Sequence, residues 1–222
     1  MTVDVNGTML FYEKNGTGSP IVLLHGNGED HHIFDKLSVK LIKDFTVYAV
    51  DSRNHGQSGK TSDYSYNTMA EDIFGFIGAL NLGRVGLIGF SDGAIVSLIL
   101  AMNHGEKVSK MALLGVNLKP TDFTEESYQF VKDTYETTKD PLFKLMLEEP
   151  NIELDAVKGV KVPVLVIAAE NDIYKPETFT NLVSALPDAT LKIMGGHEHD
   201  SYIIGQDLLY PDFIEFFRPP NP

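Results

Sequence analysis

One serine stands between two glycines in Gly89-Phe90-Ser91-Asp92-Gly93. An apolar run, residues 85–90, precedes it, and a helix-like stretch, 94–102, follows. A strand-to-helix turn at that point forces the serine into strained backbone angles, and the flanking glycines let neighbouring chain approach without a Cβ clash. The hydroxyl then stands clear of the sheet, above a helix N-terminus whose backbone N–H groups are unsatisfied and partly positive. Such a place suits a nucleophile attacking a carbonyl, because the same N–H groups hold the oxyanion that develops. A Gly-rich turn with an idle surface serine reads the same way. The choice depends on a base, an orienting acid and a second oxyanion donor.

The elements that must position such a set are legible as apolar runs. Residues 21–24, 45–50, 85–90, 111–114 and 164–169 are near-continuously apolar, and 191–194 is a plausible last strand. Strands buried on both faces read this way, which predicts a mostly parallel sheet covered by helices. Residues 2–5 and 9–12, joined at Asn6-Gly7, read as an antiparallel hairpin. Helices are expected over 69–80 with an N-cap at Asn67-Thr68, over 94–103, 179–186 and 203–217, with Asp30 leading a further stretch to Leu41. The order is that of an α/β doubly wound architecture. A polar insert from about Lys119 to Lys161 interrupts it, with apolar residues spaced for one or two short amphipathic helices. That insert reads as a small cap over the sheet, on a single domain spanning 1–222, with a frayed tail at 218–222.

Ligands of open α/β sheets bind beyond the carboxyl ends of the strands. After successive runs come His25-Gly26-Asn27-Gly28, Asp51 to Ser58, Ser91, Glu170-Asn171-Asp172 and Gly195-Gly196-His197-Glu198-His199. Five strand ends thus carry serine, acid and histidine to one edge.

On these residues the chain resembles an α/β-hydrolase over essentially its full length. The matching pieces are His25-Gly26-Asn27-Gly28, Asp51-x-Arg53-x-x-Gly56-x-Ser58, Gly89-x-Ser91-x-Gly93, and a late acid followed by histidine. The resemblance implies that Ser91 attacks a carbonyl, a histidine takes its proton, and an acid orients the imidazole. It implies Asp172 as the acid, with Glu170 the alternative. Two histidines compete for the base. Gly196 before His197 has the family's local look, whereas the family's spacing, counted from Pro187, lands on His199 and leaves His197 in the turn after Met194. His199 is the preferred base and His197 the alternative. The backbone N–H groups of Asn27 and Asp92 are the implied oxyanion donors, with His25, Asp51 and Arg53 as loop scaffolding. Asn54 stands where relatives often carry glycine, and asparagine tolerates positive φ.

Serine at the elbow, rather than aspartate, implies hydrolysis of a small or medium ester, thioester or lactone. Carbon–carbon bond hydrolysis uses the same triad, and a slow-turnover ligand-binding member of the fold is the non-enzymatic alternative. No cofactor is needed. Glu29-Asp30-His31-His32 raises a metal reading with His197 and His199, set against a capped helix start; serine chemistry needs no metal.

Composition bounds the rest. The 222 residues include 31 acidic and 18 basic side chains, a formal charge of -13, which repels nucleic acid and anionic lipid. There is no cysteine, so no disulfide and no thiolate ligand. No run approaches a membrane span, and Met1-Thr-Val-Asp-Val-Asn-Gly lacks a signal-peptide pattern, so a cytoplasmic location is expected.

Overall fold

The computed structural model describes residues 1–218. Its sheet is built from β1 (Thr2–Val5), β2 (Thr8–Gly16), β3 (Ser19–Leu24), β4 (Phe45–Val50), β5 (Val85–Phe90), β6 (Val108–Leu114), β7 (Val164–Asn171) and β8 (Ala189–Glu198). The spatial order is β1-β2-β4-β3-β5-β6-β7-β8. The six strands from β4 to β8 in that order are parallel, and β1 and β2 form the antiparallel edge. Asn6 and Gly7 both take positive φ, 44° and 76°, as a two-residue hairpin turn of matching twist demands.

Helices cover both faces, which is why the central strands are apolar throughout. On one face, α2 (Tyr66–Ala79), α3 (Asp92–His104) and α7 (Pro176–Ala185) pack over Val22, Leu24, Leu87 and Val166. On the other, α1 (Asp35–Leu41) and α8 (Tyr210–Phe217) pack over Ile21, Leu23, Ile88 and Ile167. The chain reverses direction across the sheet between β3 and β5, because β4 lies on one side of β3 and β5 on the other. The loops after β3 and β5 therefore meet at a topological switch point, where open α/β sheets form their clefts.

Several boundaries differ from the sequence reading. Helix α2 begins at Tyr66, since Ser65 accepts from the Asn67 N–H and Glu149 accepts the Tyr66 N–H at 3.0 Å. Strand β8 runs on to Glu198, so His197 lies in the strand rather than in a turn after Met194. The helix expected over 203–217 is cut to Tyr210–Phe217: a single turn after Asp200 stops at Gly205, φ 59°, and Pro211 restarts the helix.

Between β6 and β7 the insert forms three helices, α4 (Glu125–Thr138), α5 (Pro141–Glu148) and α6 (Leu154–Val157), where one or two were expected. Asp140 caps α5 through the Leu142 N–H, with Pro141 at the first turn. Val131, Leu145 and Val157 bury into the core, whereas Phe130 remains 66% exposed. The expected fraying of the tail concerns 219–222, outside the described residues; Arg218 itself donates to Asp44 at 3.0 Å.

Candidate active site

Ser91 occupies the turn between β5 and α3 with φ 50° and ψ -115°, a conformation few L-residues adopt. Such backbone strain amounts to about 1–3 kcal/mol and persists only where surroundings over-determine it. Here the Ser91 N–H donates to Leu114 O at 2.8 Å, and its carbonyl accepts from Ala94 and Ile95 at 2.9 and 3.2 Å. Close approach explains the glycine two residues on. A Cβ on Gly93 would sit 2.1 Å from the Leu24 carbonyl oxygen, so any side chain there would push the elbow off β3.

The histidine after β8 reaches this serine. His199 Nε2 lies 3.1 Å from Ser91 Oγ, and His199 Nδ1 lies 2.8 Å from Asp172 Oδ1. An ionised carboxylate only accepts, so Nδ1 carries the proton and Nε2 turns its lone pair to the hydroxyl. Asp172 is 2% exposed at the side chain, and its Oδ2 accepts the Ala169 N–H at 3.1 Å, which fixes the carboxylate independently of the histidine. The imidazole is wedged between Phe90, 5.0 Å away, and Tyr174, edge-on at 5.4 Å. Gly115, φ 57°, clears the space behind it: a Cβ there would stand 2.5 Å from His199 Cε1.

The two alternatives lie elsewhere. Glu170 accepts the Gly196 N–H at 2.6 Å and braces the end of β8. His197, half-buried, is directed to Ser201 Oγ, 3.0 Å away.

Asn27 and Asp92 come together across the switch point. Asp92 is the first residue of α3, so its N–H lies outside the helical ladder. Among the described residues no acceptor pairs with the Asn27 backbone N–H. Their side chains meet as well: Asn27 Nδ2 donates to Asp92 Oδ2 at 3.0 Å and to Leu142 O, on α5, at 3.2 Å. The Tyr66 hydroxyl donates to Asp92 Oδ1 at 2.8 Å. Burial pushes the Asp92 carboxyl above the ordinary range, against the pull of these two donors.

The surrounding loops are fastened by buried polar pairs. His25 Nε2 accepts the Ser52 N–H at 3.0 Å and Nδ1 donates to Gly26 O at 2.8 Å. Burial, with His55 beside it, pushes His25 down to about 4, so the ring is neutral as that pairing requires. Burial alone would raise Asp51, but the Gln57 and His31 N–H groups and the His31 ring overbalance it and hold the carboxyl below its ordinary value. Arg53 pairs with Asp72 through two bonds of 2.6 Å. Asn54 takes φ 67°, a left-handed conformation that asparagine tolerates better than most residues.

Three participants were not anticipated from sequence: Tyr66, Glu29 and the Asn27 side chain. Glu29 Oε2 accepts the Gly26 N–H at 2.9 Å. Tyr66 and the Asn27 side chain carry no local signal, because their roles exist only once β3, α2 and α3 are adjacent, whereas Glu29 acts within its own loop, three residues from its partner. Of the histidines considered for a metal, only His31 and His32 join Asp30 within 4.8 Å; His197 and His199 are not in that group. Three ordinary bonds already use it, since Asp30 caps the His32 N–H, His31 Nδ1 faces Asp51, and His32 Nδ1 faces Asp35.

A family model described as alpha/beta hydrolase fold matches residues 19–144, more than half of the chain. The chain belongs to that family. It is 27% identical to "Serine hydrolase BPHL" of Homo sapiens, covering 96% of this chain and 85% of the relative. Among solved structures it superposes on a meta-cleavage product hydrolase (CumD) of Pseudomonas fluorescens IP01 with TM-score 0.82 at 20% identity, over 98% and 97% of the two chains. It superposes equally, TM-score 0.82 at 22% identity, on an enol-lactonase of Burkholderia xenovorans LB400, over 97% and 99%. At these identities the likeness to solved structures speaks for the fold alone. No helix among the described residues is long and apolar enough to cross a membrane.

Proposed function

We propose that this chain is a cytoplasmic serine hydrolase that cleaves a small or medium carboxylic ester, thioester or lactone through an acyl-enzyme. The observation that carries this reading is the unbroken chain from Asp172 through His199 to Ser91, at 2.8 and 3.1 Å, on a strained elbow. Ser91 Oγ attacks the carbonyl while His199 Nε2 takes its proton. Asp172 holds the tautomer and steadies the imidazolium. The Asn27 and Asp92 backbone N–H groups receive the oxyanion. His199 returns the proton to the departing alkoxide or thiolate. Water, deprotonated by the same nitrogen, then releases the acid and restores Ser91.

The substrate range rests on the size of the cap and on relatives. The insert α4–α6 acts as a short cap, with Leu142 O of α5 bonded to Asn27, and Ser91 is only 6% exposed beneath it. A relative called a serine hydrolase and a fold neighbour called an enol-lactonase are consistent with acyl chemistry of this kind. The test is intact-mass spectrometry after exposure to a fluorophosphonate, with Ser91→Ala as control. A single adduct on the wild type, absent from the variant, is expected. No adduct on the folded wild type would overturn the proposal.

A further inference from the structure

Glu29 lies beside the triad but takes no part in the steps above. Its carboxylate accepts the Gly26 N–H at 2.9 Å, and its own N–H returns to Gly26 O at 3.4 Å, closing the loop that carries Asn27. The loop has no slack. A Cβ on Gly26 would meet Glu29 Oε2 at 2.8 Å and Ser91 Cβ at 3.1 Å, so the carboxylate and the elbow crowd the same backbone atom.

We propose that Glu29 is a positioning residue that holds the Gly26–Asn27 segment in register with Ser91, most firmly when its carboxyl is ionised. The inference rests on the serine-hydrolase reading for its consequence, though not for the contact itself. The physical basis is that a hydrogen bond to an ionised acceptor is roughly twice as strong as one to a neutral acceptor. The loop that presents the Asn27 N–H is therefore tighter with Glu29 charged. The charge is adjustable near neutrality, because burial pushes this carboxyl up to about 7. The Gly26 N–H and His199 oppose that rise, while Asp92 on α3 and Asp200 after β8 add to it. Asn27 is placed by two hands, its side chain by Asp92 and Leu142 and its backbone by Glu29.

Two measurements on the full-length protein test this. The first needs no activity. The Gly26 amide proton, followed by NMR, is expected to move with a midpoint near pH 7 in the wild type and to lose that transition in Glu29→Gln. A Gly26 amide that does not titrate near 7, or titrates identically in the variant, overturns the proposal. The second is the fluorophosphonate labelling rate against pH. Glu29→Gln keeps the shape and an acceptor oxygen but not the charge, so its rate above pH 7 should fall about fivefold. The ratio of wild-type to variant rate should rise through pH 7, while the dependence due to His199 persists in both. Glu29→Ala, lacking any acceptor, should fall further. Wild-type rates in both variants would overturn the positioning role. Failure of the wild type to label would instead sink the serine-hydrolase reading, leaving the amide titration to decide Glu29.

Discussion

The Asn27 side chain donates to the Asp92 carboxylate at 3.0 Å, joining the loop after β3 to the first turn of α3. These are the two residues whose backbone N–H groups face the same oxyanion site in the proposed mechanism. Their spacing is set by one side-chain bond and by the Tyr66 hydroxyl on the other carboxylate oxygen, 2.8 Å away. Asn27→Ala keeps the backbone donor but frees it, and is expected to lower kcat by roughly tenfold with a smaller change in KM. Asn27→Asp sets a second carboxyl against a buried one, and its loss should deepen as pH rises. An Asn27→Ala enzyme with wild-type kcat would show that the loop needs no such tie.

The two histidines two residues apart should separate cleanly. His199→Ala removes the only imidazole bonded to Ser91 and should reduce kcat by about 10⁴-fold or more. His197→Ala removes a contact to Ser201 and none to Ser91 or Asp172, and should stay within about twofold. Steady-state kinetics on the first ester found to turn over, or the labelling rate, decides it. A large loss in His197→Ala alone would reassign the base.

Arg53 and Asp72 form a two-bond ion pair with side chains 4% and 2% exposed, which ties the loop after β4 to α2. Removing one member leaves the other charged and buried. Asp72→Asn should lose about 3–5 kcal/mol of stability, a fall of roughly 10 °C or more in Tm for a chain of this size. The activity of the remaining folded protein should be nearly unchanged. Calorimetry checks the first outcome and titrated labelling the second.

Stability against pH should show two opposed slopes. His25 is pushed from 6.5 down to about 4, so between those values the unfolded chain binds a proton the folded chain refuses, and stability falls as pH falls. Glu29 is pushed from 4.5 up to about 7, so the folded chain holds the extra proton, and stability falls as pH rises through that window. Between 4.5 and 6.5 the two effects oppose each other. The wild-type slope there in urea unfolding should therefore be shallower than that of a variant lacking the Glu29 carboxyl. Glu29→Gln should uncover the His25 slope and gain stability with rising pH by up to about 1.4 kcal/mol per unit. Parallel wild-type and variant curves would rule out Glu29 as the source of the compensating slope.

Much of this protein is written along the chain. Strands such as Val85–Phe90 are apolar at every position because both faces of the sheet are covered, so their place and parallel pairing could be inferred from local composition. The serine was legible because its turn needs glycine in contact with β3, a demand that leaves a mark within five residues. The strand-end rule brought acid and histidine to the same edge. Local reading failed where a neighbour decides. The helix over 203–217 has an apolar period throughout, yet Gly205 and Pro211 divide it, and the first half packs as a turn that delivers His199. His197 and His199 stand two residues apart, so composition alone could not choose between them; Gly115 and Asp172, brought in by β6 and β7, leave room and a partner for His199. The side-chain network of Asn27, Asp92 and Tyr66 was invisible beforehand. Asn27 and Asp92 are 65 residues apart, and Asn27 and Leu142 115 apart. Hydrogen bonds over such separations leave no periodicity in the sequence, and they exist only after burial has removed water as the competing partner.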